Sequence, residues 1–301
     1  MSTSSTAPVA AVSRPISRSW AYLILVKPDV TFLVVLTTMA GFYMGAGASI
    51  HALRMFHAVF GTTLLAAGTA ALNQYIERNS DAKMRRTSMR PLPLGALRPF
   101  EALAFGAGLI VLGAVYLAVF TNWLACGLAL LTAALYLGVY TPLKTRTTLA
   151  TAIGAIPGAI PPLVGWAAAR GSLNEGAWLL FAILFLWQFP HFHAIAWMYR
   201  EDYSRAGIRM LPVVDRDGSA TFGQIIFAAA ALVPVSLLPS VIGLAGLRYF
   251  FGALILGMLL IQVCLWASRS RTNVRAKWLM HATVVHIPLL LGLLMLDKIV
   301  R

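Results

Sequence analysis

An all-α membrane bundle, with about nine transmembrane helices around a central cavity that opens to the cytoplasmic side, is the fold class this sequence predicts. Three observations predict it. Of 301 residues, 59% are hydrophobic and only 11% are charged, and the mean hydropathy is +0.78, a composition foreign to soluble globular domains. The apolar residues come in runs near the length that crosses a bilayer, about 20 residues. The net charge of +14 sits in short segments between those runs, which argues against nucleic acid as the partner.

Taken in order, residues 1–19 are rich in Ser and Ala, carry Arg14 and Arg18 and no acid, and read as a disordered cytoplasmic tail. A cleaved signal peptide does not fit, because the first apolar run begins at about Trp20 and is long enough to span. Pro8 and Pro15 weaken the amphipathic helix that a mitochondrial transit peptide needs. Residues 20–301 then read as one transmembrane domain. Its spans fall at roughly 20–47, 52–76, 99–120, 123–141, 148–168, 175–199, 220–243, 248–267 and 278–297. An odd number places the two ends of the chain on opposite sides. With the N-terminus inside, 19 of the 24 Lys and Arg residues collect on the cytoplasmic side, as the positive-inside rule requires. The bacterial inner membrane is the expected location, with the mitochondrial inner membrane as the alternative. Cys126 and Cys264 lie far apart inside apolar runs and read as small packing residues.

Eight of the ten acids fall on that same side, all but Glu175 and Asp297. Topology accounts for cytoplasmic bases but not for acids gathered at the ends of two particular spans. The second span ends in Asn73, Glu77 and Asp81, spaced four apart and so on one helical face. Oxygen donors stacked in this way suit a hard divalent cation such as Mg²⁺. Lys83, Arg85, Arg86 and Arg90 follow and would neutralise a polyphosphate carried by that metal. A solvated helix end paired by nearby Arg is the plainer reading, yet polar residues at a membrane edge are functional by default.

A weak echo lies four spans on, in a parallel helix. Tyr199, Arg200, Glu201, Asp202 and Tyr203 close the sixth span, and Gly207, Arg209 and Pro212 follow. The two active-site segments, at about 73–98 and 199–216, would face each other as one bipartite site. Glu201 or Asp202 would add metal ligands, and Arg200 or Arg209 a phosphate clamp; a snorkelling, aromatic-belt helix end is the alternative. Lys144, in the short turn after Tyr140, is either a topology determinant or a flexible cation for a leaving pyrophosphate. Before the second segment, Trp187, His191 and His193 flank Pro190, which should kink the helix or free a carbonyl. The two histidines lie about 200° apart around a helix, so at most one faces the cavity. One reading is a haem ligand or catalytic base, and the other a buried histidine bonded to a neighbouring helix. His51, His57, His281 and His286 have no visible partners and read as structural.

With these residues in view, the chain resembles the intramembrane UbiA-type prenyltransferases, and within them the haem o synthase (protohaem IX farnesyltransferase) branch. The resemblance runs from Lys27-Pro28 to the last span. It rests on Asn73-Xaa₃-Glu77-Xaa₃-Asp81, on Met84-Arg-Arg86-Thr87-Xaa₂-Arg90-Pro91-Leu92, and on Tyr140-Thr141-Pro142-Leu143-Lys144. It rests also on Trp187-Gln-Phe-Pro190-His191-Phe192 and on Asp202-Tyr203-Xaa₃-Gly207-Ile-Xaa-Met-Leu211-Pro212. Two departures stand out. Glu77 replaces the middle Asp of much of the superfamily, and the second Asp-Xaa₃-Asp pair is absent, with Tyr199 and Tyr203 near its positions and Asp202 one residue off.

The resemblance implies a Mg-dependent enzyme that moves a farnesyl group from farnesyl diphosphate to a vinyl group of haem b, with water added, giving haem o and diphosphate. It implies Mg²⁺ on Asn73, Glu77 and Asp81, with Asp202 a further candidate. Arg78, Arg86, Arg90, Lys144, Arg200 and Arg209 are the implied diphosphate contacts, and His191, His193 and Trp187 the implied haem contacts. The lipid bilayer is a partner, and a haem a synthase or terminal-oxidase assembly is the implied recipient. An aromatic acceptor is the alternative within the family, and a transporter the alternative outside it. Against a transporter, the polar residues crowd one membrane face and leave no through-path.

Overall fold

The computed structural model describes residues 17–300, so the expected tail lies outside the described residues up to residue 16. All described regular structure of any length is helical, and nine of these rods are long and apolar enough to cross a membrane. Ser17 caps the first short helix, α1 (Arg18–Leu25), by accepting from the Trp20 N–H.

The first expected span, 20–47, is not one helix. It breaks at Lys27 between α1 and α2 (Pro28–Gly45). Pro28 brings no N–H and disfavours the α conformation for the residue before it. Lys27 has φ 48°, the one positive φ outside glycine among the described residues, at a cost of about 1–2 kcal/mol. Strain of this kind tends to gather where a site needs a residue held in place.

The second span runs further than expected. Helix α3 (Ala52–Asp81) continues unbroken for 30 residues, about 45 Å, and carries Asn73, Glu77 and Asp81 on one rod. Helix α4 (Pro99–Phe120) starts with proline at its first turn, and Glu101 accepts from the Arg98 N–H at 2.8 Å. The fourth span joins α5 (Trp123–Ala134), a π-helical turn (Leu135–Tyr140) and α6 (Thr141–Leu143). That wider turn delivers Lys144 to the charged end of the bundle. Pro161 and Pro162 divide the fifth span into α7 (Ala150–Ala159) and α8 (Pro161–Arg170).

Helix α9 (Glu175–Met198) runs through Pro190 without a break. Short helices α10 (Arg200–Arg205) and α11 (Leu211–Val214) follow, then the rods α12 (Ser219–Val241), α13 (Leu247–Arg269) and α14 (Asn273–Leu296). Helices α2, α3, the π turn, α7, α9 and α14 touch in sequence and close a ring. Glycine lets α2 and α8 meet backbone to backbone. A Cβ on Gly165 would lie 1.9 Å from the Thr38 carbonyl oxygen, and one on Gly41 would lie 2.1 Å from that of Pro162.

Candidate functional site

The last turns of α3 place Asn73, Glu77 and Asp81 in one row at the charged end of the ring. Asn73 and Asp81 are buried, and each member of the row is matched by a cation from a different part of the chain. Lys27, at the α1–α2 break, donates from Nζ to Asn73 Oδ1 at 2.8 Å. Lys144, in the turn after α6, donates to Glu77 Oε1 at 2.7 Å. Arg90 donates from Nη1 to both Asp81 oxygens at 2.8 and 2.7 Å. Asn73 also donates from Nδ2 to Thr141 Oγ1 at 3.2 Å, and Thr87 ties the 82–98 segment back to the Asp81 carbonyl at 2.9 Å.

The charges are tuned by this burial. Desolvation, helped by the positive charge of Arg90, pulls the Lys27 amine down to about 7. Burial also opposes the charge on Lys144, but the Tyr140 phenol and the Glu77 carboxylate outweigh it and hold this amine above the usual lysine range. Lys144 further lies 4.4 Å from the centre of the Tyr140 ring. The row therefore combines fixed oxygens with two cations, Lys144 and Arg90, and with the Lys27 amine, whose protonation an incoming anion would favour. A polyphosphate could replace the partners of all three.

The second segment meets the first. The Arg86 N–H donates to Asp202 Oδ2 at 3.2 Å, while Asp202 also pairs with Arg205. The Arg86 guanidinium lies over the Tyr199 ring, 4.8 Å from its centre. Arg85, Arg86, Tyr199, Glu201, Asp202 and Arg205 line a cleft of about 430 Å³. The Arg209 N–H donates to the Lys144 carbonyl at 2.8 Å, and Met84 packs with Ala206, Ile208, Met210, Tyr140 and Tyr203. One apolar cluster thus joins both segments to the turn that carries Lys144.

Other expected residues are not brought to the row. Arg78 donates to its own helix at the Tyr75 carbonyl, 2.7 Å, and stacks on that ring. Arg200 donates to the Trp197 carbonyl at 2.7 Å and to Asn273 Oδ1 at 2.6 Å, toward the start of α14. Asp202 is held by Arg86 and Arg205 rather than by partners of the row. Among the described residues no three His, Cys, Asp or Glu side chains converge as a metal centre, so cation binding here would draw on the Asn73 amide oxygen and on substrate oxygens. The donor set fits a hard cation on those terms, because all three side chains present oxygen and all three are already held in place.

Deeper in the bundle the two histidines part, as their spacing requires. His193 is fully buried, its Nε2 at 2.9 Å from Gln224 Oε1 on α12. Its side chain is enclosed between α9 and α12. His191 lies partly open at the seam of α9 and α14, stacked on the buried Trp187 ring with centroids 4.9 Å apart and with Nδ1 at 2.9 Å from Thr283 Oγ1. Trp187 is a support beneath His191 rather than an open wall.

Lys27, Thr141, Arg205 and Thr283 escaped sequence reasoning as site residues. Lys27 carried a signal in its place before Pro28 at the mouth of a span, and Thr141 in the motif around Lys144; Arg205 and Thr283 carried none.

The sequence profile of the UbiA prenyltransferase family matches residues 34–286. The chain belongs to that family. The protohaem IX farnesyltransferase of Solibacter usitatus is 48% identical over 286 residues, covering 92% of this chain and 98% of the relative. That of Koribacter versatilis is 46% identical, covering 92% and 93%. Among solved structures, a digeranylgeranylglyceryl phosphate synthase superposes with a TM-score of 0.76 at 19% identity, over 93% of this chain and 98% of that one. A UbiA homologue from Archaeoglobus fulgidus bound to DMAPP and Mg²⁺ gives 0.65 at 14%, over 91% and 99%. The fold is shared with both. This chain is a multi-pass membrane prenyltransferase, and membership of the family sets the transporter reading aside.

Proposed function

We propose that this prenyltransferase transfers the farnesyl group of farnesyl diphosphate to a vinyl group of protohaem IX, with Mg²⁺ held at Asn73, Glu77 and Asp81. One observation carries the proposal: three oxygen-bearing side chains on one face of α3, each already matched to its own cation at the rim of an apolar ring of helices. The names of the bacterial relatives supply the acceptor.

The apolar ring takes the farnesyl tail and the charged end takes the diphosphate. Lys27, Lys144 and Arg90 exchange their carboxylate and amide partners for phosphate oxygens, and Arg86 is near enough in sequence and structure to join them. Bound Mg²⁺ would neutralise those oxygens and stabilise the leaving group. As the allylic C–O bond breaks, its electron pair leaves with the diphosphate, toward the fixed cations. The surrounding helices keep bulk water from the allylic carbon. The vinyl π electrons form the new C–C bond, and one water captures the cation that results and releases its proton. His191 offers the open ring nitrogen on the acceptor side. The bias of basic residues supports a cytoplasmic N-terminus in a bacterial inner membrane, and a haem a synthase or terminal-oxidase assembly would receive the product.

Membranes carrying the protein, given protohaem IX, farnesyl diphosphate and Mg²⁺, are expected to yield a more apolar haem by reversed-phase chromatography, and chelation should stop its formation. Unchanged haem beside prenylation of an aromatic quinone precursor would replace haem with an aromatic acceptor.

A further inference from the structure

The bond between His191 and Thr283 joins two spans 92 residues apart in sequence, and the hydroxyl in it has a second contact that decides which way the proton points. Thr283 Oγ1 lies 2.6 Å from the Met280 carbonyl oxygen, one turn back on α14. Two oxygens approach that closely only with a hydrogen between them, and the carbonyl has none to give. The hydroxyl proton is therefore committed to Met280. Toward His191 the same oxygen has only lone pairs, so His191 must donate from Nδ1–H. A neutral imidazole protonated at Nδ1 leaves Nε2 with a free lone pair.

The surroundings keep that lone pair available. Nε2 of His191 has no protein partner among the described residues, and it is not among the sealed, unpartnered atoms that include His193 Nδ1. The Trp187 indole N–H donates to the Thr283 carbonyl at 2.9 Å, and the Trp187 ring stacks on the imidazole at an interplanar angle of 15°. Thr283 thus fixes the imidazole through its side chain and the platform beneath it through its backbone. His191 lies seven residues inside the charged end of α9, about 10 Å along that helix.

We infer that Thr283 is a positioning residue which holds His191 as its Nδ1–H tautomer, so that Nε2 can coordinate the iron of a metalloporphyrin acceptor. This rests on the protohaem reading of the acceptor given above. The logic is that of metal-bound histidines generally: the hydrogen bond at one ring nitrogen sets the tautomer and the basicity of the other.

The test is titration of purified protein in lipid nanodiscs with ferric protohaem IX, read in the Soret band, beside iron-free protoporphyrin IX, read by fluorescence. Thr283→Val keeps the shape and removes the acceptor for Nδ1–H, whereas Thr283→Ser keeps it. The Val variant is expected to bind protohaem about tenfold more weakly with a shifted Soret band, and to bind protoporphyrin IX as the unaltered protein does. The Ser variant should match the unaltered protein within about twofold, being within the scatter of a retained hydrogen bond. Equal loss for both porphyrins in the Val variant would make Thr283 a packing residue and overturn the inference, as would an unchanged Soret band and affinity. Failure of the unaltered protein to bind either porphyrin would instead overturn the acceptor reading, and this inference with it.

Discussion

Glu77 and Asp81 take their cations from Lys144 and Arg90, 67 and nine residues away along the chain, whereas Asp202 takes its cation from Arg205, three residues on. Both Glu77 and its lysine are mostly buried, and Asp81 is 1% exposed; Asp202 is 10% exposed but its partner Arg205 is 38% exposed, so that pair is open on one side. The first set exists only once α3, the 82–98 segment and the turn after α6 have come together. The second forms within one turn of α10. Breaking a buried pair by removing one partner costs about 3–5 kcal/mol, while an exposed pair is worth about 0–1 kcal/mol. The row on α3 is assembled entirely by contacts distant along the chain, whereas Asp202 draws its cation from its own helix and only a backbone N–H, that of Arg86, from afar.

That contrast can be broken. Asp81→Ala should lower farnesyl transfer by about a hundredfold or more, the loss seen when a charge-stabilising group is taken from a reaction centre. Product formed in membranes, normalised to protein that elutes as a folded species, is the measure; activity within tenfold of the unaltered protein would remove Asp81 from the site. Asp202→Asn should cost about tenfold or less, because the Arg86 N–H keeps an amide oxygen to donate to while the Arg205 pair is lost. A hundredfold loss there would erase the distinction between the two segments. Glu201→Gln, at an exposed position lining the 430 Å³ cleft, should change turnover by no more than about twofold. A larger drop in activity would place Glu201 against substrate.

Much of this was legible in the sequence, for identifiable reasons. Apolar runs of spanning length gave the rods, since a bilayer accepts little else. The four-residue spacing of Asn73, Glu77 and Asp81 survives because α3 stays helical to Asp81. The two-residue spacing of His191 and His193 likewise foretold that they would face different helices. What stayed hidden was long-range. Thr283 meets His191 across 92 residues, and no local pattern marks a threonine in an apolar span. Lys27 counted as one of many cytoplasmic bases, because a charge at a span boundary has the same form whether it sets topology or reaches Asn73. Lys144 stood out, but its resting partner, Glu77, belonged to another span.

The glycines between α2 and α8 have a mechanical consequence. Gly41 lies toward the end of α2 away from the charged rim and Gly165 midway along α8, the half of the fifth span farther from that rim, and there the two backbones leave no room for even one methyl group. At the rim the same bundle is held by side-chain bonds that an incoming anion can trade. The bundle is thus joined backbone to backbone at one end and side chain to side chain at the other. A larger residue at Gly41 or Gly165 would therefore part α2 from α8 while leaving every side chain of the charged row unaltered.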